Sequence, residues 1–471
     1  MYHKCNLINE RSTAGFRFNT NVYNGLYAPP VLRVWPGDVI QLQLVNNISA
    51  NQATNLHYHG FAVSPLPPSD DIYLTIPPAG GAYRYTISLP GSHAQGMFWY
   101  HPHPHGISEP QVLGGLSGAM IVEGLLQNNY PHLADITERV MLLKDIDTEA
   151  LGLPSTSPCY PPDISGAGAK AKTVNGLCNP TIAIAPQEIQ FWRIANIGAD
   201  AYFNLQLSGI RMFVIAVDGN ATDRPIRVEN YLLPPGAPVE MLVIGGPPGA
   251  YPFNSLVYDT GPAGDPNPTV PLATLVSSYG PVAKSGADQQ LKSRARGRQG
   301  VFPTIEQVLR SRIAAQRTFT FSENNVGDQF CINQCQYDMN RVDTTVNVGD
   351  VETWTLLNTS GEVHAFHIHQ LDFAVIEING VAQTPTGLQD TVNIPFQVNG
   401  VLGKVKIVMP FLDPAIAGQF VYHCHILEHE DAGMMANILV LPLEPVARER
   451  ILARAHSKIQ QQCTPCADAK R

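Results

Sequence analysis

One short segment near the C-terminal end, residues 422–435, most constrains what this chain can be. It reads Tyr-His-Cys-His-Ile-Leu-Glu-His-Glu-Asp-Ala-Gly-Met-Met, so a thiolate, three imidazoles and thioethers lie close together. Two histidines, one cysteine and a weak axial methionine are the ligand set of a blue-copper electron-transfer centre. The segment therefore predicts a metal site with Cys424 as its anionic ligand.

The positions of the ligands predict a second site on the opposite side. If residues 420–426 form a strand, successive side chains point to opposite faces. Cys424 then faces one way, while His423 and His425 both face the other way. A single cysteine in a strand is usually a small buried hydrophobe, but that account leaves the flanking histidines, His429 and Met434 as coincidences. We therefore expect this strand to connect two metal sites through three consecutive residues.

The histidines of the chain are distributed very unevenly. None lies between His132 and His364, so the middle third contributes no imidazole. Two His-x-His pairs occur on each side of this gap, and the members of a pair share a strand face. Imidazole suits copper, and eight imidazoles are too many for one ion, so we predict a metal cluster between the first and last thirds. The four pairs are His57 with His59, His101 with His103, His367 with His369, and His423 with His425.

Four of the other histidines need separate treatment, one as a candidate ligand and three as bystanders. His364 precedes a pair by three residues and can leave its shared face, so it can join Cys424, His429 and Met434. The remaining three have no such partners, and we expect them at the surface or beside the ligands. They are His93, His105 and His132, of which His105 is the hardest to exclude because it continues the alternation of His101 and His103.

An internal repeat predicts the architecture. The stretch 31–46 recurs at 181–196 and at 344–358, each time as strand, tight turn with an acid, strand and asparagine. A second repeat relates 96–103 to 418–425. Abundant glycine and proline, 39 of each, also favour an all-β chain rich in turns. We therefore predict three consecutive, related β-sandwiches.

The length of 471 residues fits about three domains. We predict sandwiches at 1–125, 137–278 and 317–445, a linker at 279–316 and a tail at 446–471. The linker carries basic residues at 284, 292, 294, 296 and 298, which we interpret as a solvated connector with a short helix near 305–313. The tail is predicted to begin as a helix, with Ile451, Leu452 and Ala455 on one face, and then to be disordered.

The eight cysteines leave at least one thiol unpaired once Cys424 is assigned to metal. Cys159 and Cys178 bracket a loop rich in proline, glycine and serine, and we expect this pair to form a disulfide. Cys463 and Cys466 lie in the polar tail, where we expect free thiols or an adventitious metal clip.

Charge and hydropathy exclude several classes of partner. The net charge of −9 argues against nucleic acid, which requires a concentrated basic surface. No apolar run reaches the 18 residues that a membrane span needs. No apolar segment follows the first residues, so the chain is either cytosolic or a mature form with an added start methionine, and we favour a mature extracellular or periplasmic protein.

With these motifs in view, the chain resembles the multicopper oxidases, a laccase-like family of three-domain blue copper proteins, over residues 20 to 445. The resemblance implies three cupredoxin-like Greek-key β-sandwich domains and four coppers, one type 1, one type 2 and two type 3. It also implies one-electron oxidation of a donor coupled to reduction of dioxygen to water. By position in the motifs, the implied ligands are His364, Cys424, His429 and Met434 for type 1, His57 and His367 for type 2, and His59, His101, His103, His369, His423 and His425 for type 3.

The donor and the proton carriers are open at this point. Glu430, beside His429, and Asp70 or Asp71 are candidate carboxylates for delivering protons to the cluster. We favour a phenolic or related small-molecule donor, and the alternative is a metal-ion oxidase for Cu(I) or Fe(II). A copper-storing or structural cupredoxin protein without catalysis is the alternative of a different class.

Overall fold

Three β-sandwiches follow one another along the chain in the computed structural model, as the internal repeat predicts. The structure describes residues 2–13, 16–48, 51–147, 170–279, 301–324, 327–459, 461–463 and 465–466. Most of the predicted linker, the basic residues in it, and Cys159 of the proposed pair with Cys178 lie outside the described residues. The domain boundaries given above stay a prediction.

The first sandwich consists of two four-stranded sheets. A core of aliphatic and aromatic side chains, including Leu44, Phe61 and Ile87, lies between them. Along the strand at 39–46, buried and more exposed positions alternate, as a sandwich strand requires. In spatial order, one sheet contains Phe16–Tyr23, Tyr2–Thr13, Val39–Asn46 and Gly81–Ser88, and the other contains Leu32–Val34, Gly118–Val122, Met97–His101 and His57–His59.

The second sandwich packs a six-stranded sheet against a five-stranded one around Trp192, Phe203 and Phe253. The six strands are, in spatial order, Lys170–Val174, Thr137–Asp147, Ile189–Asn196, Pro238–Ile244, Arg211–Val217 and Asn220–Val228. The five strands are Thr181–Ile184, Val270–Ser277, Gly249–Leu256, Phe203–Leu207 and Asn230–Leu233.

The third sandwich has the same sheet sizes around Trp354, Phe366 and Tyr422. Its six-stranded sheet contains, in spatial order, Phe330–Ile332, Ala315–Glu323, Val351–Asn358, Gly403–Pro410, Ala374–Ile378 and Val381–Ala382. Its five-stranded sheet contains Thr344–Asn347, Met435–Leu441, Gly418–Cys424, His364–Ile368 and Thr391–Ile394.

Helices are few and short in the described part of the chain. They are Ser108–Leu113, Leu125–Asn129, Ile305–Arg310, Leu427–Asp431 and Pro445–Ile459, with single 3₁₀ turns at Pro131–Leu133 and Pro414–Ile416. The helix at 305–310 confirms the helix that the sequence predicts in the linker. Among the described residues, none of these helices combines the length and hydropathy needed to cross a membrane.

The acid of the repeated motif holds the tight turn in each sandwich. The Asp38 carboxylate accepts a hydrogen bond from the backbone N–H of Trp35, three residues earlier, at 2.9 Å. Glu188 and Asp350 do the same at the equivalent turns, at 2.6 and 3.1 Å. A side chain that satisfies a backbone donor within a turn stabilises that turn, which explains why every copy of the repeat carries an acid there.

The asparagine that ends each repeat also binds backbone groups. Asn46, Asn196 and Asn358 are fully buried. Each donates its amide N–H groups to two carbonyl oxygens, one in the loop that follows its strand and one 30 to 37 residues further along the chain. Because buried backbone carbonyls need partners, this amide allows an irregular loop to pack inside the sandwich.

The C-terminal tail corrects one sequence prediction and confirms another. The helix Pro445–Ile459 packs Ala455 and its neighbours at 451 and 452 against the third sandwich, as predicted. The expectation of free tail thiols is wrong, because Cys463 is bonded to Cys335 and Cys466 to Cys331. The error arose because loop cysteines far away in sequence supply the partners. The tail is therefore fixed at both 463 and 466, where disorder was predicted.

We expect the two tail disulfides to stabilise the third sandwich. They close loops with sequence separations of 128 and 135 residues. Loops of this length restrict the unfolded chain strongly, so replacing Cys463 and Cys466 by serine should lower the free energy of unfolding by about 2–5 kcal/mol. Urea unfolding of the metal-free protein measures the loss, and reduction of the unmodified metal-free protein should reproduce it. An unchanged midpoint in both experiments would contradict the assignment.

Candidate metal centre

Eight imidazoles from the first and third sandwiches converge at the interface of these two units. Strand pairing positions them, because His57 lies opposite His101 in one sheet and His367 lies opposite His423 in the other. All eight are at most 2% exposed; they are His57, His59, His101, His103, His367, His369, His423 and His425. The structure thus brings together the four His-x-His pairs that the sequence singled out.

The ring nitrogens form several sets with the spacing of metal ligands. Nitrogens of His103, His369 and His423 lie within 4.8 Å of one another, and so do those of His57, His367 and His369. A further set combines His57, His59 and His101 within the same limit. The His425 ring completes this side of the cluster, with its centroid 4.9 Å from that of His59. The overlap of these sets leaves room for more than one ion.

The protonation state of the cluster fits bound cations. Burial is the main cause that lowers the pKa of seven of these imidazoles well below 6.5, and repulsion between neighbouring rings adds to it; the seven are His59, His101, His103, His367, His369, His423 and His425. Neutral imidazole offers one lone pair to a metal. Several such nitrogens have no hydrogen-bond partner in the part of the chain that the structure describes: Nε2 of His57, His101 and His367, Nδ1 of His59 and His369, and both nitrogens of His425.

Groups outside the cluster contact the opposite ring nitrogens. The Asp70 carboxylate lies 3.0 Å from Nδ1 of His57, and the Asp390 backbone carbonyl lies 3.0 Å from Nδ1 of His367. The Asp390 carboxylate also lies 3.3 Å from Nε2 of His59. Such contacts fix the tautomer and orientation of a metal-binding histidine. The rings of His57, His59 and His367 can therefore each present a defined nitrogen to the interior.

Glu430 contacts the cluster from the side of the third sandwich. Its carboxylate oxygens lie 3.1 Å from Nδ1 of His423 and 3.5 Å from Nδ1 of His103. Glu430 is fully buried, and burial raises its pKa well above 4.5. Asp71, the other carboxylate candidate beside Asp70, accepts the backbone N–H of Tyr73 at 3.1 Å.

A second, smaller site lies on the other face of the strand Gly418–Cys424. The Cys424 sulfur lies 3.6 Å from Nδ1 of His429 and 3.9 Å from Nδ1 of His364, and all three residues are buried. Met434 is buried in the same core, and its backbone bonds to Cys424 and His429. The four residues that the sequence grouped are thus brought together. A thiolate, two imidazoles and a nearby thioether have the chemistry of a blue-copper site.

The helix Leu427–Asp431, which carries His429 and Glu430, is held by both other sandwiches. The Asp431 carboxylate accepts backbone N–H groups of Gly106, Ser108 and Glu109 at 2.8–3.1 Å. The opposite end of the helix donates the N–H of Glu428 to the Asp200 carboxylate at 3.2 Å. The two sites are therefore positioned by contacts among all three sandwiches.

The middle sandwich has no histidine but packs closely against the cluster. Gly236 adopts φ +87°, and a Cβ atom there would lie 2.8 Å from the His425 ring. Its carbonyl accepts the indole N–H of Trp99 at 2.8 Å. Asp218 accepts the backbone N–H groups of Asp390 and Thr391 at 3.1 and 3.2 Å. The middle unit thus supports residues that in turn orient the imidazoles.

A cavity of about 280 Å³ opens beside His429. Nε2 of His429 lies 3.3 Å from the Glu362 carboxylate in its wall, and the Phe330 ring stacks on the imidazole at 4.1 Å. Lys170, which bonds to Asp200 at 2.5 Å, is a cation next to this wall. The wall is strongly acidic, and its carboxylates are Asp200, Asp265, Glu323, Glu362 and Glu428.

The histidines that the sequence set aside lie outside both sites. His93 is buried in the first sandwich, with its ring nitrogens 3.2 Å from the N–H of Ala62 and 2.8 Å from the carbonyl of Ala94. The His105 ring packs against Tyr337 at 4.6 Å, and His132 lies in a 3₁₀ turn without a buried residue. The alternation that made His105 hard to exclude ends with the strand at His101.

Several residues at the sites escaped sequence reasoning. Asp390 and Glu362 contact imidazoles but are single acids without a distinctive spacing. Asp218 belongs to the sandwich that carries no candidate ligand, so no motif pointed to it. Asp390 lies between the repeated stretches 344–358 and 418–425, and this position is the one signal in the sequence that could have placed it near the ligands.

Comparison with known proteins identifies relatives along most of the chain. Three family models, each described as multicopper oxidase, match residues 10–126, 155–279 and 311–444. The multicopper oxidase mco of Staphylococcus aureus is 27% identical over 432 residues, which are 90% of this chain and 84% of the relative. The cell division protein FtsP of Shigella dysenteriae is 25% identical over 454 residues, with 92% and 87% of the two chains covered.

A solved structure has the same arrangement of sandwiches. The multicopper oxidase from Campylobacter jejuni, described as a metallo-oxidase, superposes with a TM-score of 0.72. It is 26% identical in sequence, and the match covers 93% of this chain and 91% of that one.

The position of Cys424 between the two sites leads to a direct test. Cys424→Ser removes the soft anionic ligand, so we expect the intense blue absorption of a copper–thiolate bond to disappear. His423 and His425 face the other side of the strand, so the cluster should still assemble and about three coppers should remain. Visible absorption and metal analysis measure the two effects. Loss of all copper, with circular dichroism showing an intact fold, would contradict the separation of the sites.

Proposed function

The chain belongs to the multicopper oxidase family, and from this premise we propose that it couples one-electron oxidation of a donor to four-electron reduction of dioxygen to water. The observation that carries the proposal is the strand Gly418–Cys424, with Cys424 in the small site on one face and His423 in the histidine cluster on the other. Copper bound at these sites would supply the one-electron redox chemistry and the reaction with dioxygen.

The proposed ligands are those that the resemblance implies. His364, Cys424, His429 and Met434 would hold the type 1 copper, and His57 with His367 would hold the type 2 copper. The proximity of the His103, His369 and His423 nitrogens supports one type 3 position. The ring distances among His59, His101 and His425 support the other. Four coppers per chain follow from this partition.

The chain itself provides the connection between donor and cluster. His429 lies between Cys424 and the cavity, with its Nε2 towards Glu362 and its Nδ1 towards the sulfur. Electrons would enter at His429 and leave Cys424 through the backbone to His423 and His425. Asp70 and Glu430 hold imidazoles of the cluster, and their role in proton delivery, together with that of Asp71, stays a prediction.

The acidic cavity favours a reduced metal ion as the donor, and Fe(II) more than Cu(I), because the soft Cu(I) ion prefers sulfur ligands. Carboxylate oxygens attract cations and bind them as ligands. Five carboxylates line this cavity, while few of its lining residues are apolar. A neutral phenol needs apolar and aromatic walls for most of its binding energy. The structure thus favours the metal-ion donor over the phenolic donor that the sequence analysis preferred.

A non-catalytic copper protein is the competing function, since one relative is named for cell division. Outer partners orient several candidate ligands, among them His57, His367 and His423, and this fixed ligand geometry argues for a redox site rather than a storage site. Two disulfides are consistent with the extracellular or periplasmic location that we propose.

Metal analysis together with oxygen uptake tests the proposed reaction. We expect the copper-loaded protein to contain about four coppers, to be blue, and to consume one dioxygen for every four donor equivalents oxidised. Electron paramagnetic resonance should show separate type 1 and type 2 signals. Full copper loading without oxygen uptake with Fe(II), Cu(I) or a substituted phenol would instead support the non-catalytic function.

Substitution at the cavity wall tests the donor class. Glu428→Gln removes one negative charge while the backbone N–H that binds Asp200 remains. We expect KM for Fe(II) to rise about three- to tenfold, because the cation loses one attractive charge near the surface. KM for a neutral phenol should change by less than about twofold.

Glu229→Gln is the matched control, because Glu229 is an exposed acid of the middle sandwich, paired with Arg227. It should leave both KM values unchanged. An equal change of KM for Fe(II) and for phenol in Glu428→Gln would contradict a cationic donor and would restore the phenolic one.

A further inference from the structure

Gln370, the residue after His369, lies at the contact between the first and third sandwiches. Its side chain is 1% exposed, and its amide Nε2 donates a hydrogen bond to the Asp70 carboxylate at 2.7 Å. The amide N–H end faces Asp70, because a carboxylate offers acceptor oxygens and the N–H group is the donor end of the amide. The bond therefore joins a residue of the third sandwich to one of the first.

The backbone of Gln370 is in a conformation that residues with a side chain rarely adopt. Its φ angle is +65°, in the left-handed region that favours glycine. A strained, buried residue of this kind persists only where the surrounding structure requires it, and such residues cluster at functional sites. This backbone conformation occurs two residues after the end of the strand His364–Ile368. With it, the Gln370 side chain reaches Asp70.

Asp70 receives a further donor and holds an imidazole of the cluster. Its Oδ1 accepts the backbone N–H of Tyr58 at 3.1 Å, and its Oδ2 lies 3.0 Å from Nδ1 of His57. The Gln370 amide binds the same Oδ2. The carboxylate is 2% exposed, so these donors fix its position in place of water. The His57 ring also stacks on His369 at 3.7 Å.

We propose that Gln370 is a positioning residue for the type 2 copper site, acting through Asp70 on the orientation of His57. The inference rests on the proposed assignment of His57 to that copper. Gln370 holds the Asp70 carboxylate in line with Nδ1–H of His57, which leaves Nε2 directed at the interior. Because the bond crosses between sandwiches, it also couples the position of His57 to that of His369.

A purely structural role makes a different prediction. If Gln370 only fills space, its replacement should lower the stability of the fold and affect all four coppers alike. If it acts through Asp70, replacement should loosen one copper while the other three and the blue colour stay. The residue is not titratable, so neither outcome depends on its own charge.

Two variants separate the amide from the backbone strain. Gln370→Met keeps a side chain of similar length but removes the donor, and Gln370→Asn tolerates the left-handed backbone but is too short to reach Asp70. We expect both to release type 2 copper to a chelator about 10–100-fold faster than the unmodified protein. The type 2 electron paramagnetic resonance signal should change, and the blue absorption should not.

Gln187→Gly is the matched control for the backbone, since Gln187 is an exposed glutamine of the middle sandwich with φ +62°. It should leave copper release unchanged. Unaltered type 2 release and signal in both Gln370 variants, or equal release of all coppers, would overturn the proposal.

A double-mutant cycle with Asp70→Asn tests the route of the effect. If Gln370 acts through Asp70, Gln370→Met should add little to the copper release of Asp70→Asn, whereas independent residues would give multiplied effects. Multiplied effects would overturn the route through Asp70. Absence of a type 2 signal in the unmodified, copper-loaded protein would instead show that the proposed function has failed, independently of Gln370.

Discussion

The constraint on which this structure depends is the burial of many neutral imidazoles in one place. A buried polar group without a partner is costly, and ligand nitrogens directed at a metal must be left without protein partners. The chain meets this cost at several of the rings by binding the opposite nitrogen. Asp70, Asp390 and Glu430 supply these contacts at His57, His59 and His423.

The same requirement explains why three sandwiches meet at the sites. One sandwich has a limited number of strand ends, and strands present ligands in pairs on one face. The first and third sandwiches supply the imidazoles. The middle sandwich supplies supports such as Gly236 and Asp218. The helix Leu427–Asp431 is bound at its two ends by the other two units. A change in domain packing would therefore disturb both metal sites together.

The two candidate metal sites are separated by the thickness of one strand. His429 lies beside an acidic cavity, whereas His423 and His425 lie in the buried cluster. In the function that we propose, the choice of donor therefore depends on the charge of the cavity wall, and the cluster depends on burial.

The sequence by itself determined the repeated strand–turn–strand units, the candidate ligands and the family. It could do so because ligand spacing and strand alternation are local, and because each turn acid acts within its own turn. Tertiary structure alone decided the outer partners, the acidic cavity and the tail disulfides. Asp390, Glu362, Gln370 and Cys335 have no motif of their own, and their roles arise from residues that folding brings near from distant parts of the chain.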